Sequence, residues 1–288
     1  MSLAVAGRAP DIGGPQLRLL KQALLTHAGI TVDSTPGVVA GYVRDRMDYL
    51  GLCDVDAYLD LLGDSIAARA ERVALTDLMT VKETRFFRQP GAFQVLTQYF
   101  EKLLDAAQTP AEISFWSAGC ATGQELYSMA MVAESVFSQG EPRREWHGIG
   151  SDLSYRAIVQ AREGVYAERA QESIPARYRA RFLDPKLGGR VRVTDAIRHR
   201  THFFHSNLLH VEAAPFASFN AIFCQNVLIY FPREQRGKII DQLVDRLGPG
   251  GLLVLGPGED VSWQNSQVER LLSPGVCAYR KNGGSGRE

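Results

Sequence analysis

The chain has 288 residues, enough for one or two domains with a substantial core, and its 32 Lys and Arg balance its 32 Asp and Glu to a formal net charge of zero. That balance removes any overall electrostatic case for a nucleic acid or a membrane surface, so a partner must be recognised through local patches. Four cysteines, Cys53, Cys120, Cys224 and Cys277, stand far apart without a Cys-x-x-Cys pair, which argues against structural zinc or a disulfide framework and suits a reducing cytoplasm. The N-terminus has no sustained apolar stretch and no run approaches the roughly 20 apolar residues that span a bilayer, so the expectation is a soluble, unexported protein.

Residues 1 to about 14 are aperiodic and Lys281 to Glu288 are polar and glycine-rich, so both ends read as loose. From residue 15 to 80 the pattern is helical: Leu17 to Leu25, Val38 to Leu50, Val55 to Leu62 and Ile66 to Met79, with Gly, Pro or Asp at the breaks. This predicts a small all-α N-terminal domain, acidic on count through residue 80, with seven Lys/Arg against ten Asp/Glu. Arg44 and Arg46, near Asp45 and Asp48, predict a solvated mixed-charge face, with a docking patch as the other reading. Residues 81 to 110 form a connector and linking helix, with Phe93, Leu96, Phe100 and Leu104 on one helix side. Phe86 and Phe87 read as core residues at the junction, flanked by Arg85 and Arg88, two guanidinium groups that a cleft could use.

From Ile113 to Ala130 an apolar strand turns through Gly119 and Gly123 into an amphipathic helix. A strand–glycine–helix turn brings backbone N–H groups and the positive helix end to the carboxyl edge of a sheet, where open α/β sheets bind ligands. The spacing is Gly-x-x-x-Gly, without the dinucleotide fingerprint or a phosphate loop, and an ordinary structural turn is the alternative. A second strand, Trp146 to Gly150, ends at Asp152, 33 positions after Gly119. That carboxylate is placed to accept two ribose hydroxyls, or to cap the following helix, and the two roles are compatible. The alternation in Leu187 to Phe204 predicts short antiparallel strands turning at Thr194-Asp195, an insertion of about residues 187 to 204. It is locally basic, a solvated face by default and otherwise a surface for an acidic partner, and its histidines lack metal-ligand spacing. Strands at Phe219 to Ile222, Leu252 to Leu255 and Val276 to Arg280, with a helix at Arg233 to Leu247, complete a strand–helix alternation that predicts a mainly parallel sheet covered on both faces.

Five segments, VKETRFFRQP, FWSAGCATGQELYSMAM, GIGSDLS, FFHSNLL and FNAIFCQNVLIYF, in that order, resemble the chemoreceptor glutamate methyltransferases, the CheR family. The resemblance spans about residues 15 to 281. It implies an α/β fold with a seven-stranded, Rossmann-like methyltransferase sheet over about 111 to 281, and S-adenosylmethionine as cofactor with S-adenosylhomocysteine as product. It further implies methyl transfer to glutamate side chains on the cytoplasmic regions of chemoreceptors by a monomer recruited to receptor arrays, with no nucleic acid and no membrane insertion.

By motif, Thr84 and Arg88 match the family's active-site threonine and arginine, and Gly119, Glu125 and Asp152 its cofactor positions at the first two strand ends. Asn207 and Leu208 match positions near the adenine, and Asn226 and Tyr230 the asparagine and tyrosine beside the cofactor. The expected catalytic residues are Arg88 and Tyr230, with Thr84 and Arg88 also expected to bind the cofactor; no metal is expected. Three departures stand out: Lys82 where the family commonly has asparagine, Gln225 where arginine precedes the asparagine, and Pro257 where a Gly-His-Ser-Glu motif has histidine. Lys82 and Gln225 still fall on the cofactor wall. A carboxylate acceptor is ionised at neutral pH, so this transfer needs alignment rather than a general base, consistent with the lack of any Ser/His/Asp arrangement. The rival reading is a non-catalytic scaffold of the same fold that binds the cofactor or a receptor; methylation of a small molecule or nucleic acid is disfavoured by the neutral charge and helical N-terminal domain.

Overall fold

The protein is represented by a computed structural model that describes residues 12–31, 35–63, 65–80, 83–105, 112–140, 143–213, 218–260 and 262–283. Most of the two termini expected to be loose, and Lys82, lie outside the described residues. The chain divides into two compact units, Met1–Val81 and Lys82–Glu288.

The first unit is built from α1 (Gly14–Ala28), α2 (Pro36–Leu50), α3 (Val55–Leu61) and α4 (Ile66–Met79). Asp54 and Ser65 cap α3 and α4 by accepting the N–H of Ala57 and Ala68. The helix faces meet in a core of Leu20, Leu24, Val39, Val43, Met47, Tyr58, Leu75 and Met79. Arg46 does not lie on the solvated face expected of it. Its guanidinium binds both oxygens of buried Glu71, at 3.0 and 2.6 Å, and the Tyr58 hydroxyl donates to the same carboxylate at 2.7 Å. The physical reason is Glu71, a carboxylate facing the bundle interior, which needs a cation with it.

The second unit opens with α5 (Pro90–Asp105), β1 (Glu112–Ala118), α6 (Gln124–Phe137), β2 (Glu145–Asp152) and α7 (Tyr155–Glu163). It continues through β3 (Val165–Ala167), α8 (Ala176–Phe182), β4 (Leu183–Lys186), β5 (Arg190–Val193), α9 (Asp195–Arg198), β6 (Thr201–His205) and β7 (Phe219–Cys224). It closes with α10 (Arg233–Asp245), β8 (Leu247–Leu255), β9 (Val268–Arg270) and β10 (Cys277–Lys281). Seven strands form one sheet in the order β6-β2-β1-β7-β8-β10-β9, parallel from β6 to β8, with β10 antiparallel to both β8 and β9. Every residue of β1 from Ile113 to Ala118 is buried although successive side chains point to opposite faces, so this strand is covered on both sides. Phe86 and Phe87 sit in this unit's core, Phe86 edge-on to Tyr166 and Phe87 stacked on Tyr178.

The predicted hairpin over Leu187 to Phe204 divides between two sheets. Its first half is β5, the centre of a separate three-stranded antiparallel sheet β3-β5-β4, and its second half is β6, the parallel edge strand beside β2. The one-turn helix α9 occupies the expected turn. Period-two alternation reports that a segment is extended; it does not report which sheet receives it. The basic run is also less solvated than expected: Arg198 and Arg192 pair with Asp195, and Arg200 with Glu145.

Candidate functional site

The carboxyl ends of β1, β2, β6, β7 and β8 lie along one sheet edge, and the loops leaving them carry Gly119 and Glu125, Asp152, Asn207 and Leu208, Gln225 and Asn226, and the segment 256–260. The turn after β1 is forced into shape by the backbone. Gly119 has φ +85°, and a Cβ there would collide with the side chain of Val227, so the loop after β7 lies directly against this turn. Ala121 (φ +45°) and Asn226 (φ +59°) also adopt left-handed backbone, strain of the kind that accumulates at binding sites.

Four backbone donors of this turn are already committed. Gly119 N and Cys120 N both donate to Ser151 O, at 2.8 and 2.9 Å, Gly123 N donates to Cys120 O, and Ala121 N donates to Asp152 Oδ2 at 2.8 Å. Asp152 Oδ1 accepts from Ser154 N at 2.8 Å, while Ser154 Oγ caps α7. Ser154 is thus the helix cap, and the Asp152 carboxylate ties the turn after β1 to the start of α7.

Glu125, in the first turn of α6, accepts from Ser117 Oγ at 2.8 Å. Burial pushes its carboxyl up to about 8, with Glu259 adding to the rise, against the opposing effects of Ser117 and the Arg88 charge. Asn226 Oδ1 is buried without a hydrogen-bond partner. Asn207 Oδ1 accepts from Leu209 N, and Leu208 is buried beside it. Gln225, where a cation was the family expectation, is buried and donates its amide N–H to Gln89 Oε1 at 2.9 Å. This neutral tie links the loop after β7 to the residue before α5.

Phe87, at φ +49°, donates its N–H to Ser128 Oγ on α6 at 3.0 Å. Held between that anchor and Gln89, Arg88 is exposed, with Nη1 donating to Glu83 O at 3.1 Å. Its charge reaches both Glu125 and Tyr230. Tyr230 is half-buried, its hydroxyl pKa raised first by burial. Thr84 is half-buried on the same connector. Lys82 lies outside the described residues.

Glu259 is the residue that sequence reasoning passed over. Only 2% exposed, it accepts N–H groups from Asn226, Val227, Ile229 and Gly256. The available signal was the glutamate of the Gly-His-Ser-Glu motif, which Glu259 matches in GPGED, although that segment registered only through Pro257.

This lining is rich in acceptors and poor in free turn donors. The N–H groups of Gly119, Cys120 and Ala121 are engaged, while Glu125, Asp152 and Asn226 Oδ1 bring oxygen acceptors to this edge. A nucleoside with a cationic amino-acid tail and no phosphate fits that set, and S-adenosylmethionine is such a molecule. The sheet order, with its antiparallel strand β10, and these acceptors are compatible with such a cofactor.

The model of the "CheR methyltransferase, SAM binding domain" matches residues 82–276. The chemotaxis protein methyltransferase of Vibrio parahaemolyticus is 34% identical over 257 residues, covering 85% of this chain and 92% of that protein. Chemotaxis protein methyltransferase 1 of Vibrio cholerae is 33% identical over 258 residues with the same coverage, and the Escherichia coli chemotaxis protein methyltransferase is 30% identical over 249 residues, covering 85% and 84%. The chain belongs to the CheR methyltransferase family. Among the described residues no helix is long and apolar enough to cross a membrane.

Proposed function

We propose that this methyltransferase esterifies glutamate side chains on the cytoplasmic regions of chemoreceptors, the methyl-accepting proteins of chemotaxis, yielding γ-glutamyl methyl esters in sensory adaptation. The observation that carries this reading is Arg88, an exposed cation on a connector anchored by the Phe87 N–H on Ser128 Oγ, with its Nη1 donating to Glu83 O and its charge opposing the rise in pKa of both Glu125 and Tyr230. The relatives' names, chemotaxis protein methyltransferase, support methyl transfer in chemotaxis. Bound S-adenosylmethionine supplies a methyl group on a sulfonium. Glu125 receives the cationic tail and becomes ionised as it does so; Asp152 accepts the ribose hydroxyls; Asn226 Oδ1 accepts an N–H. Asn207 and Leu208 border the adenine, while Gly119, Thr84, Gln225 and Lys82 complete the wall. Arg88 holds one oxygen of the acceptor carboxylate and leaves the other free to attack, and Tyr230 packs against or hydrogen-bonds the reacting groups. Their contribution is proximity, orientation and exclusion of water, with no base required. The protein acts as a monomer in the cytoplasm, recruited to receptor arrays.

The neutral Gln225–Gln89 tie favours one second reading, a scaffold that binds the cofactor or the receptor without turnover. Incubation with radiolabelled S-adenosylmethionine and receptor cytoplasmic fragments separates the two. Alkali-labile label on the receptor supports the enzyme; cofactor binding with no label supports the scaffold and refutes the proposed reaction.

A further inference from the structure

We infer that Glu259 is a positioning residue, the buried carboxylate that holds the loop after β7 in the conformation that presents Asn226 and Tyr230 to the site. Oε2 accepts from Asn226 N at 3.0 Å and Gly256 N at 2.7 Å, and Oε1 accepts from Val227 N at 2.8 Å and Ile229 N at 3.3 Å. Four converging N–H donors need four acceptor sites in one small group, which a carboxylate supplies and no other side chain does. The loop needs this help because Asn226 sits at φ +59°, a conformation that costs a non-glycine residue free energy unless its surroundings impose it.

Two further observations show that the contact is built in. A Cβ on Gly256 would collide with Glu259 Oε2 and lie 2.8 Å from Asn226 N, so the glycine makes room for the carboxylate. Val227, fixed through its N–H by Oε1, places its side chain where a Cβ of Gly119 would be. Glu259 thereby also sets the spacing between the loop after β7 and the turn after β1. Pro257 and Gly258 are exposed, so the position where the family motif has histidine takes no part in the tether.

The kinetic arm of the test rests on the proposed reaction; the other two arms do not. Glu259→Gln keeps the shape but turns one acceptor oxygen into an N–H donor, which must face either the Asn226/Gly256 pair or the Val227/Ile229 pair. In the full-length protein without ligand, hydrogen exchange at these four amides should lose protection while strands β1 and β2 keep theirs. Calorimetry with S-adenosylhomocysteine should show about tenfold weaker binding at unchanged stoichiometry. With receptor fragment as acceptor, kcat should fall by about 100-fold and the acceptor KM stay within about twofold, because the loss is one of alignment. Glu259→Asp keeps the carboxylate but retracts it by one methylene, and should recover part of both binding and protection. Wild-type amide protection or wild-type affinity in folded Glu259→Gln overturns the inference. Should that variant not fold, Glu259→Asp decides: several-fold weaker binding supports the tether, and wild-type binding with wild-type protection overturns it. A wild-type enzyme that labels no receptor refutes the proposed reaction and leaves the exchange and calorimetric results to decide the role of Glu259.

Discussion

Glu125 offers a pH test of the site in which the sign is fixed by burial. Its carboxyl is held near 8 in the folded protein against an ordinary value of 4.5, with desolvation as the leading cause. A raised folded-state value means that stability is fully present below about pH 4.5 and is lost as pH rises through about 8, at about 1.4 kcal/mol per unit. At neutral pH the ligand-free protein holds Glu125 mostly protonated, and a cation binding there expels the proton. Between about pH 5.5 and 7 the cofactor's α-ammonium stays charged, so affinity for S-adenosylhomocysteine should rise roughly tenfold per unit and level off above about 8. Calorimetry in buffers of different ionisation enthalpy should record release of nearly one proton per ligand at about pH 6. Glu125→Gln should abolish both effects and stabilise the ligand-free protein by roughly 3 kcal/mol at about pH 7. Affinity flat from about pH 5.5 to 7, or unchanged proton release in Glu125→Gln, refutes the reasoning.

Arg88→Ala should slow methyl transfer by about 100-fold while S-adenosylhomocysteine affinity changes less than about tenfold; a collapse of affinity in calorimetry would assign Arg88 to the cofactor instead. Gly119→Ala adds a Cβ against Val227 at a left-handed backbone position and should destabilise by roughly 2–4 kcal/mol in urea unfolding. The pair Gly119→Ala/Val227→Ala should recover only the steric part, because the backbone strain remains. In the helical unit, Glu71→Ala leaves Arg46 without its carboxylate and strands the Tyr58 hydroxyl. It should cost about 3–5 kcal/mol, seen as lost exchange protection in α2 and α4.

The helices of the first unit were legible because each has one apolar face at helical spacing and a Gly, Pro, Asp or Ser at its ends. The turn from β1 into α6 was legible for the same kind of reason, a local pattern with local causes. What escaped depends on partners distant in sequence. Nothing near Arg46 announces Glu71, 25 positions on, and nothing in the alternation of Thr201–His205 says that it pairs with β2 rather than with its neighbour β5. β9 is three residues long, too short for a periodic signal. At the site, Asp152 could be singled out because it sits at a strand end, whereas Glu125 took its role only from the family resemblance. The Gln225–Gln89 tie spans 136 positions, and the role of Glu259 exists only once β7 and β8 lie side by side. Family resemblance located the loop after β7; it could not reveal what holds that loop.

The carbonyl of Ser151 has a consequence for how this turn could change. By accepting from both Gly119 and Cys120, it engages two donors of the turn after β1 using main-chain atoms that every amino acid at position 151 would carry. These two contacts are therefore insulated from point substitution there. To free both N–H groups, the register of β1 against β2 would have to be redrawn, a step that requires insertion or deletion in the backbone.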